Sequence, residues 1–375
     1  MVGTAANRRS PLLRSWCPGG ALVYSVRLES VSSSVEHSDE PPALEIRLSP
    51  DPITRFLDNE VAIAIAVSGV TILTIMPNSR DTAILNIVTQ SSTPGPQLHD
   101  SKLKPVMLPV ADDTVIVMDT ILRGDGYASF EALRRTPGGS WRTDLLPNPP
   151  PVASNLSMDD DEEEEYVSRP NVVDAYFVVG ARMWITIYTG NDPGDNDVCT
   201  YSLDTHHGTW RMEGSWEVPL HGRSLFVPEL DLVFGLSNFP FIDCTNDSKP
   251  GCPCHHLCAL DVEARPPVVR HMWEFPAERR EEVPSWDTVS LAHLGSGRFC
   301  IARSVKVEQS ALLSPWCNGN GTSFSLVDVT RPSPGPGPGP GPGPGGELQL
   351  TKRGRTHTHQ WGWPYENYGN AEFLL

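Results

Sequence analysis

Between Asp174 and Trp216 the chain spells out one structural unit. Two apolar runs, Ala175–Val179 and Met183–Ile187, flank a turn at Gly180, the pattern of adjacent buried strands. A third run ends in Tyr201-Ser202-Leu203-Asp204, and a fourth opens with Thr209-Trp210. Four strands of this length cannot cover both of their own faces. Such a unit needs neighbours of its own kind.

Looser copies of the unit run along the rest of the chain. Val61–Val67, Thr71–Met76 and Ala83–Val88 form one, closed by the segment Thr93–Leu98. Pro105–Val110, Thr114–Asp119, Ser129–Arg134 and Trp141–Leu146 form the next, closed by Pro147–Pro150. After the defining unit come Leu225–Pro228, Leu232–Leu236, Leu257–Val262 and Val268–Trp273. A fifth unit has Thr288–Leu294, Phe299–Val305, Ser323–Val329 and Glu347–Lys352. Ala21–Glu29 and Pro42–Leu48 are strand candidates that either open a further unit or complete the last one, and Ala371–Leu375 can add a closing strand. Residues 1–20 are expected to carry no structure. The intervals Trp141–Trp210 and Trp210–Trp273 both exceed the roughly 50 residues of a kelch repeat. Insertions account for the excess: an acidic linker Ser154–Ser168 and a Cys/His-rich loop Asn238–His256. The expected fold class is therefore all-β: a single kelch-like β-propeller over 21–375 with five to six irregular four-stranded blades. With 31 Gly and 36 Pro, the composition suits many short strands joined by turns. The unbroken Pro-Gly alternation within Pro332–Gly346 lacks the three-residue period of collagen and reads as a solvated insertion.

The formal net charge of −17 argues against general affinity for nucleic-acid phosphates. No apolar stretch approaches the length that crosses a membrane as a helix. Eight unevenly spaced cysteines in 375 residues do not form a disulfide framework. Arg8, Arg9 and Arg14, with no acid before Glu29, fit an organelle transit peptide and an ordinary terminus alike. A cytoplasmic or nuclear monomer is the reading taken.

The order TYSLDT…GSWEVPL…SLFVPELDLVFGLS…LCALDV…PPVVRHMWE…HLGSGRFCIAR resembles an uncharacterised domain-of-unknown-function family expanded in grasses such as rice. That family is similar to kelch and F-box-associated propellers. RDTAILNIVTQSSTPGPQL and PVADDTVIVMD look like its first two blades, and the likeness covers roughly 50–330. The resemblance implies a fold and no known activity. Two departures stand out: Gly180 is single where kelch repeats carry paired glycines, and no leucine-rich F-box-like segment is present.

Candidate sites are few. Cys252, Cys254, His255, His256 and Cys258, with Cys244 nearby, supply thiolates and imidazoles of the kind zinc takes, but no second knuckle completes them. Cys258 falls on a strand, where it would be a small apolar residue. Asp192, Asp195 and Asp197 share one loop without the spacing or distal Glu of a calcium loop. His357 and His359 lie on one face of an edge strand, His206 and His207 in a tight turn, and Gly235–Phe239 lacks the last glycine of a nucleophile elbow. Arg123-Gly-Asp125 is an adhesion tripeptide in spelling alone. Trp141, Trp210 and Trp273 read as core rather than as a ligand cage. No catalytic residue, cofactor or metal is expected.

The function expected is a non-catalytic protein-interaction scaffold. Asp159, Asp160, Asp161, Glu162, Glu163, Glu164 and Glu165, with Asp192, Asp195 and Asp197, would meet a basic protein partner on one crowded face. A propeller enzyme with a small-molecule site at a channel mouth is the alternative, disfavoured because the first strands Val61–Val67, Ala175–Val179 and Leu225–Pro228 are nearly all apolar. A degenerate copy without selected function is the other.

Overall fold

The computed structural model describes residues 12–17, 20–31, 43–48, 54–56, 63–66, 71–76, 78–123, 126–150, 171–189, 197–237, 256–273, 282–307, 319–331, 347–360 and 371–374. The described residues are all-β, with no helix among them. In chain order β1 (Leu12–Cys17), β2 (Gly20–Val31), β3 (Ala43–Leu48) and β4 (Thr54–Phe56) come first. β5 (Ile63–Ala66), β6 (Thr71–Ile75), β7 (Thr82–Asn86) and β8 (Ser91–Pro94) form the first meander. The second has β9 (Pro105–Ala111), β10 (Thr114–Asp119), β12 (Phe130–Arg135) and β13 (Trp141–Leu145), with the short β11 (Ile121–Leu122) between its second and third strands. β14 (Asn171–Val179), β15 (Arg182–Thr189), β16 (Asp197–Asp204) and β17 (Thr209–Gly214) form the third. β18 (Leu220–Val227), β19 (Leu232–Ser237), β20 (Leu257–Asp261) and β21 (Val268–Trp273) form the fourth. The fifth has β22 (Glu282–Gly295), β23 (Arg298–Val307), β24 (Gly319–Thr330) and β25 (Gln349–Gln360). β26 (Ala371–Leu374) ends the chain and pairs with β1, Leu12 opposite Leu374.

Each meander is antiparallel and open at its edges. The third and fourth are joined by a parallel pairing of their first strands, Ala175 opposite Gly222 and Tyr176 opposite Arg223. β11 pairs with the start of β14, Ile121 opposite Val172, so the third meander is also tied to the second. The first strands neighbour one another in turn, from β5 to β9, β14, β18 and β22, and β26 neighbours both β22 and β5.

The strand alternation sends each sheet's side chains in two directions, and both directions are apolar. From β10, Val115 and Val117 join Leu73 and Ile75 of the first meander. Ile116 and Met118, one residue out of phase, join Val173, Met183 and Ile185 of the third. The third and fourth share a core of Phe177, Trp184, Val233 and Leu260. Phe234, Phe299, Ile301 and Val327 fill the space between the fourth and fifth. The tryptophans belong to these cores: Trp210 meets Phe130 edge-on at 5.1 Å and donates its indole N–H to Pro147 O at 2.7 Å. Trp273 stacks on Phe234.

Among the elements that differ from the sequence reading, which include β4, β8 and β11 as unexpected strands, two have a clear physical cause. β1 lies inside the segment 1–20 expected to carry no structure; its partners are β2 and the far end of the chain, which no local pattern reveals. β18 starts at Leu220, five residues before the expected Leu225–Pro228, because Gly222 takes a φ of 63° and the register to β19 shifts between His221 and Leu225. That bulge breaks the alternation by which the strand would be recognised, and it puts charged residues on a first strand that was expected to be apolar.

Phe234 is fully buried, with Phe299 at 4.7 Å. Phe234→Ala is expected to cost about 3–5 kcal/mol in urea denaturation. Val88→Ala, at a position 72% exposed, should stay within about 0.5 kcal/mol.

Candidate functional site

The candidate site is the end of the second, third and fourth meanders from which their longest loops depart. Its first part is a polar network built into the second meander. Lys102 precedes β9, and its side chain is fully buried. Its Nζ donates to Asp100 O at 2.9 Å, Ala128 O at 2.7 Å and Glu131 Oε1 at 2.5 Å. Those three acceptors match the three protons of an ammonium group. Glu131, also fully buried, accepts the His99 backbone N–H at 2.7 Å through Oε2, and His99 Nδ1 lies 2.7 Å from the same oxygen.

Asp119 closes β10 and performs the same service one step away. Its carboxylate accepts the backbone N–H groups of Leu103 at 2.8 Å and Lys104 at 2.9 Å, and Arg123 Nη2 lies at 3.3 Å. Arg123 stacks over Tyr127 at 3.4 Å and donates to Ser101 O. Asn148 joins the tail of the meander to this cluster, accepting from Ser129 N–H and donating to Tyr127 O. The result is a loop segment, 98–104, clamped by buried charge to the ends of β10 and β12.

The second part lies where β14 meets β18. The β11–β14 pairing sets it beside the first. Asp174 Oδ1 and His221 Nδ1 are 2.8 Å apart. The hydrogen bond to Asp174 raises the His221 pKa above its usual value, against the opposing effect of burial. Two residues on, Arg223 stands opposite Tyr176, only partly covered.

The acidic residues singled out from sequence are placed only in part. Asp159 to Glu165, Asp192 and Asp195 lie outside the described residues. Asp197 opens β16 opposite Thr189. The Cys/His cluster is likewise divided: Cys244, Cys252, Cys254 and His255 fall outside, while His256 and Cys258 are buried. Cys258 belongs to the core between the third and fourth meanders, and burial pushes its thiol up to about 11. As expected from its place on a strand, it is a small apolar residue there. Among the described residues no group of three His, Cys, Asp or Glu side chains is gathered to hold a metal. His357 and His359 both lie on β25, opposite Phe324 and Thr322. In the turn after β16, Asp204 accepts the backbone N–H groups of His206 and His207 at 3.0 Å, which holds the carboxyl down at about 2. Gly235 is an interior strand residue of β19, not an elbow. Of the tripeptide at 123–125, Arg123 alone is described, and its guanidinium is engaged by Tyr127 and Ser101.

Sequence reasoning missed Lys102, Glu131, Asp119, Asp174, His221 and Arg223. One signal was present: Glu131 interrupts an otherwise apolar run, Phe130-Glu131-Ala132-Leu133, and an acid on a two-faced strand demands a buried cation.

Five antiparallel four-stranded meanders that share apolar cores define an all-β protein by architecture. Residues 13–356 match the family described as Protein of unknown function (DUF1668), and the chain belongs to that family. No curated protein matches it. Among the described residues, no helix is long and apolar enough to cross a membrane.

Two outcomes follow from the geometry. Lys102→Met leaves the Glu131 charge buried without its cation and is expected to cost about 3–5 kcal/mol in urea denaturation. In the double variant Lys102→Met, Glu131→Gln much of that loss should return, a coupling the cycle measures directly. Asp174→Asn should lower the His221 pKa toward its ordinary value in an NMR titration. Because the folded pKa is raised, the stabilisation from this pair is present below the unfolded value of about 6.5 and is lost as pH rises through the folded one.

Proposed function

We propose that the protein is a non-catalytic interaction scaffold of the kelch-like propeller type. In this reading each meander is a blade, and the terminal sheet of β26, β1, β2 and β3 is one more. The observation that carries it is the succession of first strands: each neighbours the next, and β26 brings the chain's end back beside β5. Two further features support it. Every described inter-sheet space is apolar on both sides, as radially stacked sheets require. The parallel pairing of β14 with β18 gives these two consecutive first strands the same direction. The resemblance to kelch and F-box-associated propellers belongs to the same proposal.

Propellers of this sort serve as binding platforms because a rigid core carries freely variable loops. Segments 154–168, 188–197 and 238–256 connect strand ends that emerge at the end where β14 and β18 begin. The acids Asp159–Glu165, with Asp192, Asp195 and Asp197, are carried by two of those segments. A concentrated negative charge at one end attracts a basic protein surface over a distance of about a Debye length.

Affinity purification from the source tissue, followed by association kinetics with the enriched partner, tests this. Converting Asp159–Glu165 to Asn and Gln should slow association about tenfold at low salt and flatten its salt dependence. Association unchanged at low salt would remove these acids from the docking surface.

A further inference from the structure

We propose that His271 makes the seam between the fourth and fifth meanders pH-sensitive: as a neutral ring it fastens the start of β25 to β21, and protonation releases that contact. The inference rests on this seam alone and holds whether or not the protein is a scaffold.

Both meanders bring turns to one end of the seam, and hydrogen bonds cross between them there. In the turns between first and second strands, Glu229 Oε1 accepts the Gly297 backbone N–H at 3.0 Å and lies 2.9 Å from His293 Nε2. Arg331 Nη2 donates to Leu230 O at 2.6 Å. Toward the fourth strands, the Leu348 backbone N–H donates to His271 Nε2 at 3.4 Å. Leu348 precedes β25, so this N–H lies outside the β24–β25 ladder, which ends with Thr330 opposite Gln349. The Leu348 side chain is 4% exposed and belongs to the core between the two meanders. A backbone donor so placed needs an acceptor, and the histidine of the neighbouring sheet supplies it.

That acceptor exists in one protonation state. Nε2 takes a hydrogen bond while its lone pair is free, whereas both ring nitrogens of an imidazolium are donors. Protonation therefore sets two donors face to face at the start of β25. Turning the ring away would break its stack on Trp273, where the centroids are 5.3 Å apart and the planes 8° from parallel. Trp273 is in turn stacked on Phe234 of the same core.

The surroundings of the ring favour its neutral state. Burial lowers the His271 pKa; Glu347 opposes this, while Arg331 across the seam and Arg270 on the same strand add to it. Glu229 behaves differently. Burial raises its pKa, but hydrogen bonds from its own and the Gly297 N–H, with the His293 pairing, outweigh this and hold it below the usual carboxylate value. Mild acid thus acts on His271 while Glu229 stays charged. The seam loosens at its fourth strands and remains clasped at the turns between its first and second. Because the folded pKa is lowered, the stability from His271 is complete above the unfolded value of about 6.5. It is lost as pH falls below that value toward the folded one.

The test is an NMR titration of the full chain from about pH 8 to about pH 5, across the ordinary histidine range. The His271 ring should titrate below the ordinary value, with its proton on Nδ1 at neutral pH. The Leu348 amide should shift with the same midpoint. Once the ring is charged, that amide should exchange with solvent about tenfold faster relative to its intrinsic rate. The Gly297 amide should not follow it. His271→Gln offers a carbonyl acceptor that does not titrate, and should abolish the Leu348 step. A ring midpoint at or above the ordinary value, a Leu348 amide indifferent to the ring, a Gly297 amide moving in step, or a Leu348 step surviving in His271→Gln would overturn the proposal. If His271→Gln does not fold, the wild-type titration decides alone.

Discussion

Sheets with two apolar faces are the constraint from which the rest of this structure follows. In β10 every residue from Thr114 to Asp119 is buried, and in β19 five of the six positions are. A lone four-stranded sheet with such strands would expose a greasy surface on one side or the other. At roughly 25 cal/mol per Å² of apolar area, leaving one face uncovered forfeits about 1.5–3 kcal/mol for each large side chain involved. The sheets therefore stack, each serving as the cover of the next. The interior charge of the second meander makes sense only within that arrangement: Glu131 and Lys102 lie deep because both sides of β12 are covered.

Stacking leaves the outermost strand of each meander as an edge, with backbone donors and acceptors on offer to any passing chain. The fourth strands carry the remedy. Arg142 on β13 meets Asp144, Arg211 on β17 meets Glu213, and Arg270 on β21 meets Asp261. β8 is exposed at every position and ends at Pro94, which has no donor to give. On their inward faces the same strands bring Trp210 and Trp273 onto the cores. One strand thus closes the core with an aromatic and guards the edge with a cation, which is why it reads as neither strongly apolar nor strongly polar in sequence.

That double duty explains what was legible. The second meander was readable nearly to the residue, because Val115–Met118 is a continuous apolar run and its strands are bounded by turn residues. The repeat order was readable for the same reason. What escaped was whatever depends on distant partners. β1 is an arginine-bearing segment whose strand character comes from pairing with β26 at the opposite end of the chain. Lys102 stands among Ser101, Leu103 and Lys104 with nothing local to distinguish it from a solvated lysine. The start of β18 was hidden by Gly222, whose left-handed backbone ends any simple alternation. Most of the acidic residues chosen from sequence lie outside the described residues, so charge density located a segment of chain without locating a surface.

The two polar clusters at the candidate end differ in a way that bears on function. Around Lys102 each proton has an acceptor within the protein, and the Glu131 oxygens are taken in turn by His99 and Lys102. A network closed in this manner has nothing left to offer a ligand; opening it would strand a charge in the interior. Its work is to hold segment 98–104 on the second meander. The seam of β14 and β18 is arranged the other way round. There Asp174 is bonded to a His221 whose side chain is 62% exposed, so the pair stands open to solvent. In a chain whose second and third strands are almost wholly committed to covering one another, the bulged first strand β18 is where polar side chains sit at least cost to the core.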